Sequence, residues 1–152
     1  KESLETRLSQ VSGADGNNKL LTAVIKAANL YISNDSTGAA EAIADVDVSS
    51  LPVEEAKTLY NTISGATMMN AANDLYNRGM TAYNKADYTT AADLLVRAYK
   101  CDKTKADAVF YAAKSYVALN QPDNAKKYYQ IIADEFKSSG YVTEAQAYVQ
   151  SH

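Results

Sequence analysis

Residues 75–102 read LYNRGMTAYNKADYTTAADLLVRAYKCD and residues 106–139 read ADAVFYAAKSYVALNQPDNAKKYYQIIADEFKSS, two stretches that match when one is moved along the other. At an offset of 34 residues, similar side chains coincide. The coincident pairs are Leu75 and Val109, Tyr76 and Phe110, Gly79 and Ala113, Asp87 and Gln121, Ala91 and Ala125, Leu95 and Tyr129, and Ala98 and Ile132. A fixed period of this length predicts repeated pairs of α-helices.

Small residues stand where such helices would cross. Gly79 and Ala113 lie in the middle of a predicted first helix, and Ala91 and Ala125 lie early in the second, with Ala98 later in it. Two helices that cross at close range leave no room there for larger side chains. We therefore predict that these five residues form the packing contacts of the repeats.

Both stretches resemble the tetratricopeptide repeat (TPR) family, in the order of their small residues and in the Ala86-Asp87-Tyr88 turn. Lys103 and Lys137 stand where the family has a closing proline. The resemblance implies clear repeats at 72–105 and 106–139, in a right-handed α-solenoid of antiparallel helix pairs with about seven to eight helices. Residues 21–54 resemble a degenerate repeat, through Ala28, Tyr31, Ala40 and Pro52, that lies one and a half periods before the first clear one.

A second resemblance concerns the segments ADEFKSS and GYVTEAQAYV near the C-terminus. They are similar to TPR domains that follow coiled coils in bacterial cell-envelope proteins, such as the periplasmic coordinator of the Tol-Pal system. This resemblance implies an extracytoplasmic part of a larger envelope protein. Because the chain opens at Lys1, we expect a signal or anchor to be able to lie upstream.

Helical spacing of apolar residues continues through the rest of the chain, which predicts an all-α protein. Residues 1–17 form an N-terminal amphipathic segment and loop, either the tail of an upstream coiled coil or a frayed end. The helical domain covers 18–152. Helices are predicted over 18–33 and 37–46, and Ser50, before Pro52, is predicted to be the N-cap of the next helix. Residues 53–85 form either one long helix or two helices that meet near Gly65. A C-terminal helix over 141–151 opens another repeat or caps the array.

Composition excludes several classes of function. With 47% apolar and 22% charged residues the chain should fold by itself, without a cofactor. The net charge is −3 and neither half carries a basic stripe, so we predict no nucleic-acid partner. No apolar run approaches the 18 or so residues of a membrane-spanning helix, so we predict no membrane insertion by this segment.

The residues needed for catalysis are scarce, and we predict that the protein is not an enzyme. The only histidine, His152, is the last residue, where we expect no packing to orient it. Cys101, the only cysteine, is expected to be a structural thiol. Neighbouring carboxylates such as Glu54 and Glu55 point in different directions on a helix, and no phosphate-loop, zinc or calcium motif is present, so we predict no metal site.

Twelve tyrosines and no tryptophan suit packing between helices, but some of these rings are candidates for partner contacts. In the TPR family the first helix of each repeat lines a concave groove. The resemblance places eleven residues there, called the groove residues below: Asn73, Tyr76, Asn77, Met80, Tyr83, Asn84, Asp107, Phe110, Tyr111, Lys114 and Val117.

Aromatic anchors and amides that bond a peptide backbone are typical of a polypeptide-binding groove. Some members of the family clamp an acidic C-terminal tail with basic residues. Here Tyr76, Met80 and Phe110 take the places that such a clamp would need, so we predict no binding of that kind. The alternative is a structural role, in which the domain is a self-associating spacer and another copy of the chain covers its apolar residues.

Overall fold

A computed structural model describes residues 18–152, and these residues form seven α-helices and one short 3₁₀ turn, with no strand. The helices are α1 (Asn18–Ile32), α2 (Ser36–Ile43), α3 (Glu54–Asn84), α4 (Tyr88–Cys101), α5 (Ala106–Ala118), α6 (Pro122–Glu135) and α7 (Val142–Ser151). The all-α prediction is confirmed. The predicted amphipathic segment and loop at 1–17 lie outside the described residues.

The long stretch before the clear repeats is a single helix, α3, with 31 residues. Gly65, where two helices could have met, lies inside it, and no atom of another element would contact a side chain there. Without a proline or a turn signal, the helix has no reason to end. The chain divides into two compact units, Lys1–Ala71 and Ala72–His152, and the boundary falls within α3.

The N-terminal unit packs α1 on α2 around an aliphatic core. Its buried residues are Leu21, Val24, Ala27, Ala39, Ile43, Leu51, Ala56 and Ile63. Helix α2 ends three residues earlier than predicted, because the N–H groups of Ala44 and Val46 bond to carbonyls three residues back instead of continuing the helix.

The predicted N-cap at Ser50 is wrong. Ser50 lies in the 3₁₀ turn Val48–Ser50, and α3 begins only at Glu54. Asp47 is the capping residue of that turn, since its carboxylate accepts hydrogen bonds from the Ser49 N–H at 3.0 Å and from the Ser50 hydroxyl at 3.1 Å. These bonds hold the pKa of Asp47 below its usual value, the bond from the Ser49 hydroxyl most of all. Asp47 suits this position because a carboxylate accepts several bonds at once.

The C-terminal unit contains residues 72–84 of α3 and helices α4 to α7, and each of α4, α5 and α6 packs against the next helix in the chain. The five predicted packing residues, Gly79, Ala91, Ala98, Ala113 and Ala125, are all buried. A Cβ at Gly79 would lie 2.8 Å from Leu95 Cγ, so α3 and α4 approach each other closely at this point.

Three helices end in the same backbone turn. Asn34, Ala86 and Asn120 follow α1, α3 and α5 with φ values of 66°, 61° and 60°. After each of them, the next N–H bonds to the carbonyl five residues earlier, as in the Asp87 to Ala82 bond of 2.9 Å. This is the left-handed helix ending of the Schellman type. The turns at Ala86 and Asn120 are separated by the 34-residue period of the repeat.

Candidate partner-binding face

The groove residues lie on α3 and α5, and most of them are accessible. Asn73, Asn77, Asn84, Asp107 and Val117 are exposed. Tyr76, Met80, Tyr83, Tyr111 and Lys114 are half-buried, and Phe110 is buried. Helix α3 therefore presents three exposed amides beside two tyrosines. The groove residues of α5 are instead one carboxylate, two aromatic residues, one lysine and one valine.

Phe110 is not available to a partner, because its ring is only 7% exposed. It stacks on Tyr141, the residue before α7, with the ring centroids 4.1 Å apart and the planes 17° from parallel. The hydroxyl of Tyr141 also donates a hydrogen bond to the carboxylate of Asp107. That bond, followed by burial, raises the pKa of Tyr141. Tyr141 therefore contacts two of the groove residues of α5, covering Phe110 and bonding to the exposed Asp107.

Tyr83 connects the two helices through aromatic contacts. Its ring meets Tyr111 of α5 edge to face at a centroid distance of 5.2 Å and Tyr88 of α4 at 5.5 Å. Such edge-to-face pairs add to the stabilisation that burial gives. Tyr83 and Tyr111 are thus partly committed to packing between helices.

Tyr76 is a half-buried aromatic side chain on this face. The Nζ atom of Lys105 lies 5.0 Å from the centre of its ring, in a cation–π contact. Burial raises the pKa of Tyr76, with smaller contributions from the negative charge of Asp107 and from Tyr111. The phenol is therefore neutral at physiological pH.

A cleft of about 430 Å³ continues the face at its C-terminal end. We call it the α5–α7 cleft; its lining residues are Lys114 and Val117 of α5, Tyr129 of α6, and Glu144, Ala147, Tyr148 and Ser151 of α7. Only Lys114 and Val117 are among the groove residues named from the sequence. Three of the other positions could have been found by moving the groove residues of α5 by one more 34-residue period, which carries Phe110 onto Glu144, Lys114 onto Tyr148 and Val117 onto Ser151.

The charges in the α5–α7 cleft neutralise each other. Lys114 Nζ lies 3.6 Å from Glu144 Oε2, and the hydroxyl of Tyr129 donates to the same oxygen at 3.0 Å. Burial of Tyr129, followed by this hydrogen bond, raises the pKa of its phenol. The remaining lining residues are apolar or aromatic except for the uncharged Ser151, so the cleft favours an uncharged occupant.

Two side chains were considered for catalysis, Cys101 and His152. Cys101 is buried at the end of α4. His152 is oriented by packing, contrary to the prediction, because its ring stacks on Tyr148 at a centroid distance of 3.9 Å. Within residues 18–152, no group of three or more His, Cys, Asp or Glu side chains could hold a metal ion. Over the same residues, no helix combines the length and the apolar character that crossing a membrane requires.

Comparison of the whole chain with protein-family models, with curated proteins and with solved structures finds no match.

Proposed function

We propose that the C-terminal unit is a short TPR-like solenoid that holds a segment of a partner polypeptide along the groove formed by its first helices. The observation that carries this proposal is the accessible face with Tyr76, Met80 and three exposed asparagines on α3, continued by the α5–α7 cleft. Aromatic and thioether side chains provide contact area, and side-chain amides offer both a donor and an acceptor to a peptide backbone.

The charges favour a neutral segment over an acidic tail. Lys114 is the only cationic groove residue, and it already pairs with Glu144 at 3.6 Å. Lys105, beside this face, lies over the Tyr76 ring. An incoming carboxylate would have to compete with both contacts. The proposed partner therefore binds through apolar and amide contacts.

Helix α7 closes the array in this proposal. Its exposed residues Thr143, Gln146 and Gln150 are polar, which is the composition expected at the end of a repeat array. Helix α7 then has two roles: it covers Phe110 with Tyr141 and it forms one wall of the cleft.

The test is a comparison of two double variants as baits in the lysate of the source organism. Tyr76→Ala/Met80→Ala removes an aromatic ring and a thioether from the face. Tyr31→Ala/Met69→Ala removes the same two groups from exposed positions in the N-terminal unit and is the matched control. Because truncated anchor residues often cost 2 kcal/mol or more, we expect the first variant to lose roughly 30-fold or more in affinity for a captured protein.

The proposal is supported if the native chain and the control retain a captured protein that the face variant loses. Circular dichroism must first show that all three chains have equal helicity. Equal retention by all three baits would place the binding site elsewhere.

The alternative function, a self-associating spacer, is favoured by the exposed side chains of Ile32 and Met69, which are 78% and 65% accessible. Recovery of the chain alone, with a dimer in light scattering that is lost in Tyr31→Ala/Met69→Ala, would favour that role.

A further inference from the structure

The second repeat buries a helix face that the first repeat leaves open. On α5 this face consists of small, fully buried residues: Ala108, Ala112 and Ser115. The residues one period earlier, on α3, are Asp74, Arg78 and Thr81. All three are exposed, and so is Lys85 at the end of the same helix face. We call these four residues of α3 the end face of the C-terminal unit.

The helix itself has the same geometry at both positions. The Thr81 hydroxyl donates to the Asn77 carbonyl at 2.9 Å, and the Ser115 hydroxyl donates to the Tyr111 carbonyl at 2.7 Å. The two bonds are equivalent in the repeat. The difference lies in the surroundings, because α5 packs on both α4 and α6, and small side chains let a neighbouring helix approach closely.

The end face carries charges where α5 carries alanine and leucine. Arg78 Nη1 lies 3.2 Å from Asp74 Oδ2, and both side chains are about half exposed. Lys85 takes the place of Leu119. A depression of about 450 Å³, lined in part by Arg78, Thr81 and Lys85, is open there. A helix packed on this face would remove three charged groups from water, and their desolvation opposes such a contact.

We propose that the end face is the N-terminal end of the repeat array, and that its charges prevent a second copy of the chain from packing a helix against it. The array then begins with residues 72–84 of α3 and does not grow by stacking of copies at this end. A spacer that self-associates would therefore use other surfaces, such as the exposed Ile32 and Met69. This inference rests on the repeat arrangement of the proposed function but not on partner binding.

Thiol labelling of the full chain tests whether the end face is open. Thr81→Cys and Ser115→Cys place a thiol at equivalent positions of the two repeats, and the native chain, in which Cys101 is buried, gives the background. We expect N-ethylmaleimide to modify Thr81→Cys at least about ten times faster than Ser115→Cys, because a thiol reacts only where the reagent reaches it. The rate at Thr81→Cys should not change with protein concentration. Protection of this thiol, at every concentration or only at high ones, would overturn the inference.

A variant that gives α3 the residues of α5 tests the role of the charges. Asp74→Ala/Arg78→Ala/Lys85→Leu makes the end face apolar, and we expect light scattering to show a dimer that forms as the concentration rises. Asp93→Ala/Arg97→Ala/Lys100→Leu removes a similar ion pair, 3.0 Å long, and a lysine from α4, and its mass should equal that of the native chain. A folded end-face variant that keeps the native mass at all concentrations would show that the charges do not keep this face free.

The end face and the groove fail separately. If Thr81→Cys reacts fast but Tyr76→Ala/Met80→Ala retains every captured protein, the end face stands and the groove does not. If Thr81→Cys is protected and the groove variant loses a captured protein, the groove stands and the end face is covered. Should the triple variant of α3 fail to fold, the labelling decides alone.

Discussion

The two units of the chain contain cores of different chemistry. The N-terminal unit buries leucine, valine, isoleucine and alanine side chains. The C-terminal unit also buries aliphatic residues, but aromatic contacts connect each of its helices to another, as in the Tyr116–Tyr128 stack of α5 on α6. Aliphatic packing has no preferred direction, whereas aromatic pairs have preferred geometries.

Tyrosine hydroxyls in the C-terminal unit also bond to carboxylates on neighbouring helices. Tyr99 of α4 lies 3.3 Å from a Glu135 oxygen on α6, Tyr129 of α6 bonds to Glu144 of α7, and Tyr141 bonds to Asp107 of α5. A ring that must both pack and reach one carboxylate fits few helix registers. The comparison indicates that directional contacts, in addition to burial, specify how the C-terminal helices align.

The largest expected difference between the units concerns the two glycines of α3. A Cβ at Gly65, in the N-terminal unit, would meet nothing within 4 Å, so Gly65→Ala should raise the free energy of unfolding by up to about 1 kcal/mol through helix propensity. A Cβ at Gly79, in the C-terminal unit, would lie 2.8 Å from Leu95 Cγ and 3.3 Å from Leu94 Cβ. Gly79→Ala should lower the free energy of unfolding by about 1–3 kcal/mol, measured in urea.

The cause of that loss can be separated from a general effect on the helix. In Leu95→Ala, the side chain that blocks the new Cβ is removed, so adding Gly79→Ala to this variant should be neutral or stabilising. A double-mutant cycle measures the coupling between the two positions. If Gly79→Ala costs as much in the Leu95→Ala background, close contact between α3 and α4 is not the reason for the glycine.

Alkaline pH should also distinguish the units. Burial, followed by the charge of Glu135 and the hydrogen bond to it, raises the pKa of Tyr99 to about 12, from an ordinary value near 10. The folded state therefore keeps a proton that the unfolded state loses. This contribution to stability is complete below pH 10 and disappears as the pH rises from about 10 to about 12. The free energy of unfolding should therefore fall less steeply between pH 10 and pH 12 in Tyr99→Phe than in the native protein, by at most about 1.4 kcal/mol per pH unit.

Tyr31→Phe is the matched control for this measurement. Tyr31 lies in the N-terminal unit with 40% of its surface exposed, so Tyr31→Phe removes a tyrosine hydroxyl from an exposed position. Urea unfolding at several pH values between 9 and 12 provides the comparison. A decline with the same slope in Tyr99→Phe and in the native protein would show that Tyr99 does not contribute to it.

The local helix signals predicted most of the fold, because apolar periodicity and turn residues act over short distances. The end of α1 at Ile32, one residue before the predicted boundary at 33, follows from such signals. Whether α3 was one helix or two could not be decided, because a glycine on an exposed helix surface lacks the turn chemistry that would settle the question. Ser50 was misassigned because it lies inside the 3₁₀ turn that Asp47 caps, and the long helix begins only at Glu54.

The candidate site was harder to predict, because it depends on contacts between residues far apart in the chain. Phe110 follows the groove pattern, but Tyr141 covers it. The α5–α7 cleft is lined by residues of three helices, and the spacing along a single helix does not bring such residues together.

The smallest expected effect concerns the shared helix ending. Ala86, in the C-terminal unit, has a φ of 61°, a conformation that costs a residue with a Cβ about 1–2 kcal/mol. Ala86→Gly removes this cost but loses part of the gain to the greater freedom of glycine in the unfolded chain, so we expect a net stabilisation of about 0.5–1 kcal/mol. Asn34, at the equivalent turn of the N-terminal unit, adopts a φ of 66°, which asparagine tolerates, so Asn34→Gly should gain less stability.

Ala66→Gly, inside α3, is the control and should instead lower the free energy of unfolding by about 0.5–1 kcal/mol. Equal effects of Ala86→Gly and Ala66→Gly in urea unfolding would mean that φ at Ala86 carries no cost, and that hydrogen bonds such as the one from Asp87 to Ala82 offset the left-handed conformation fully.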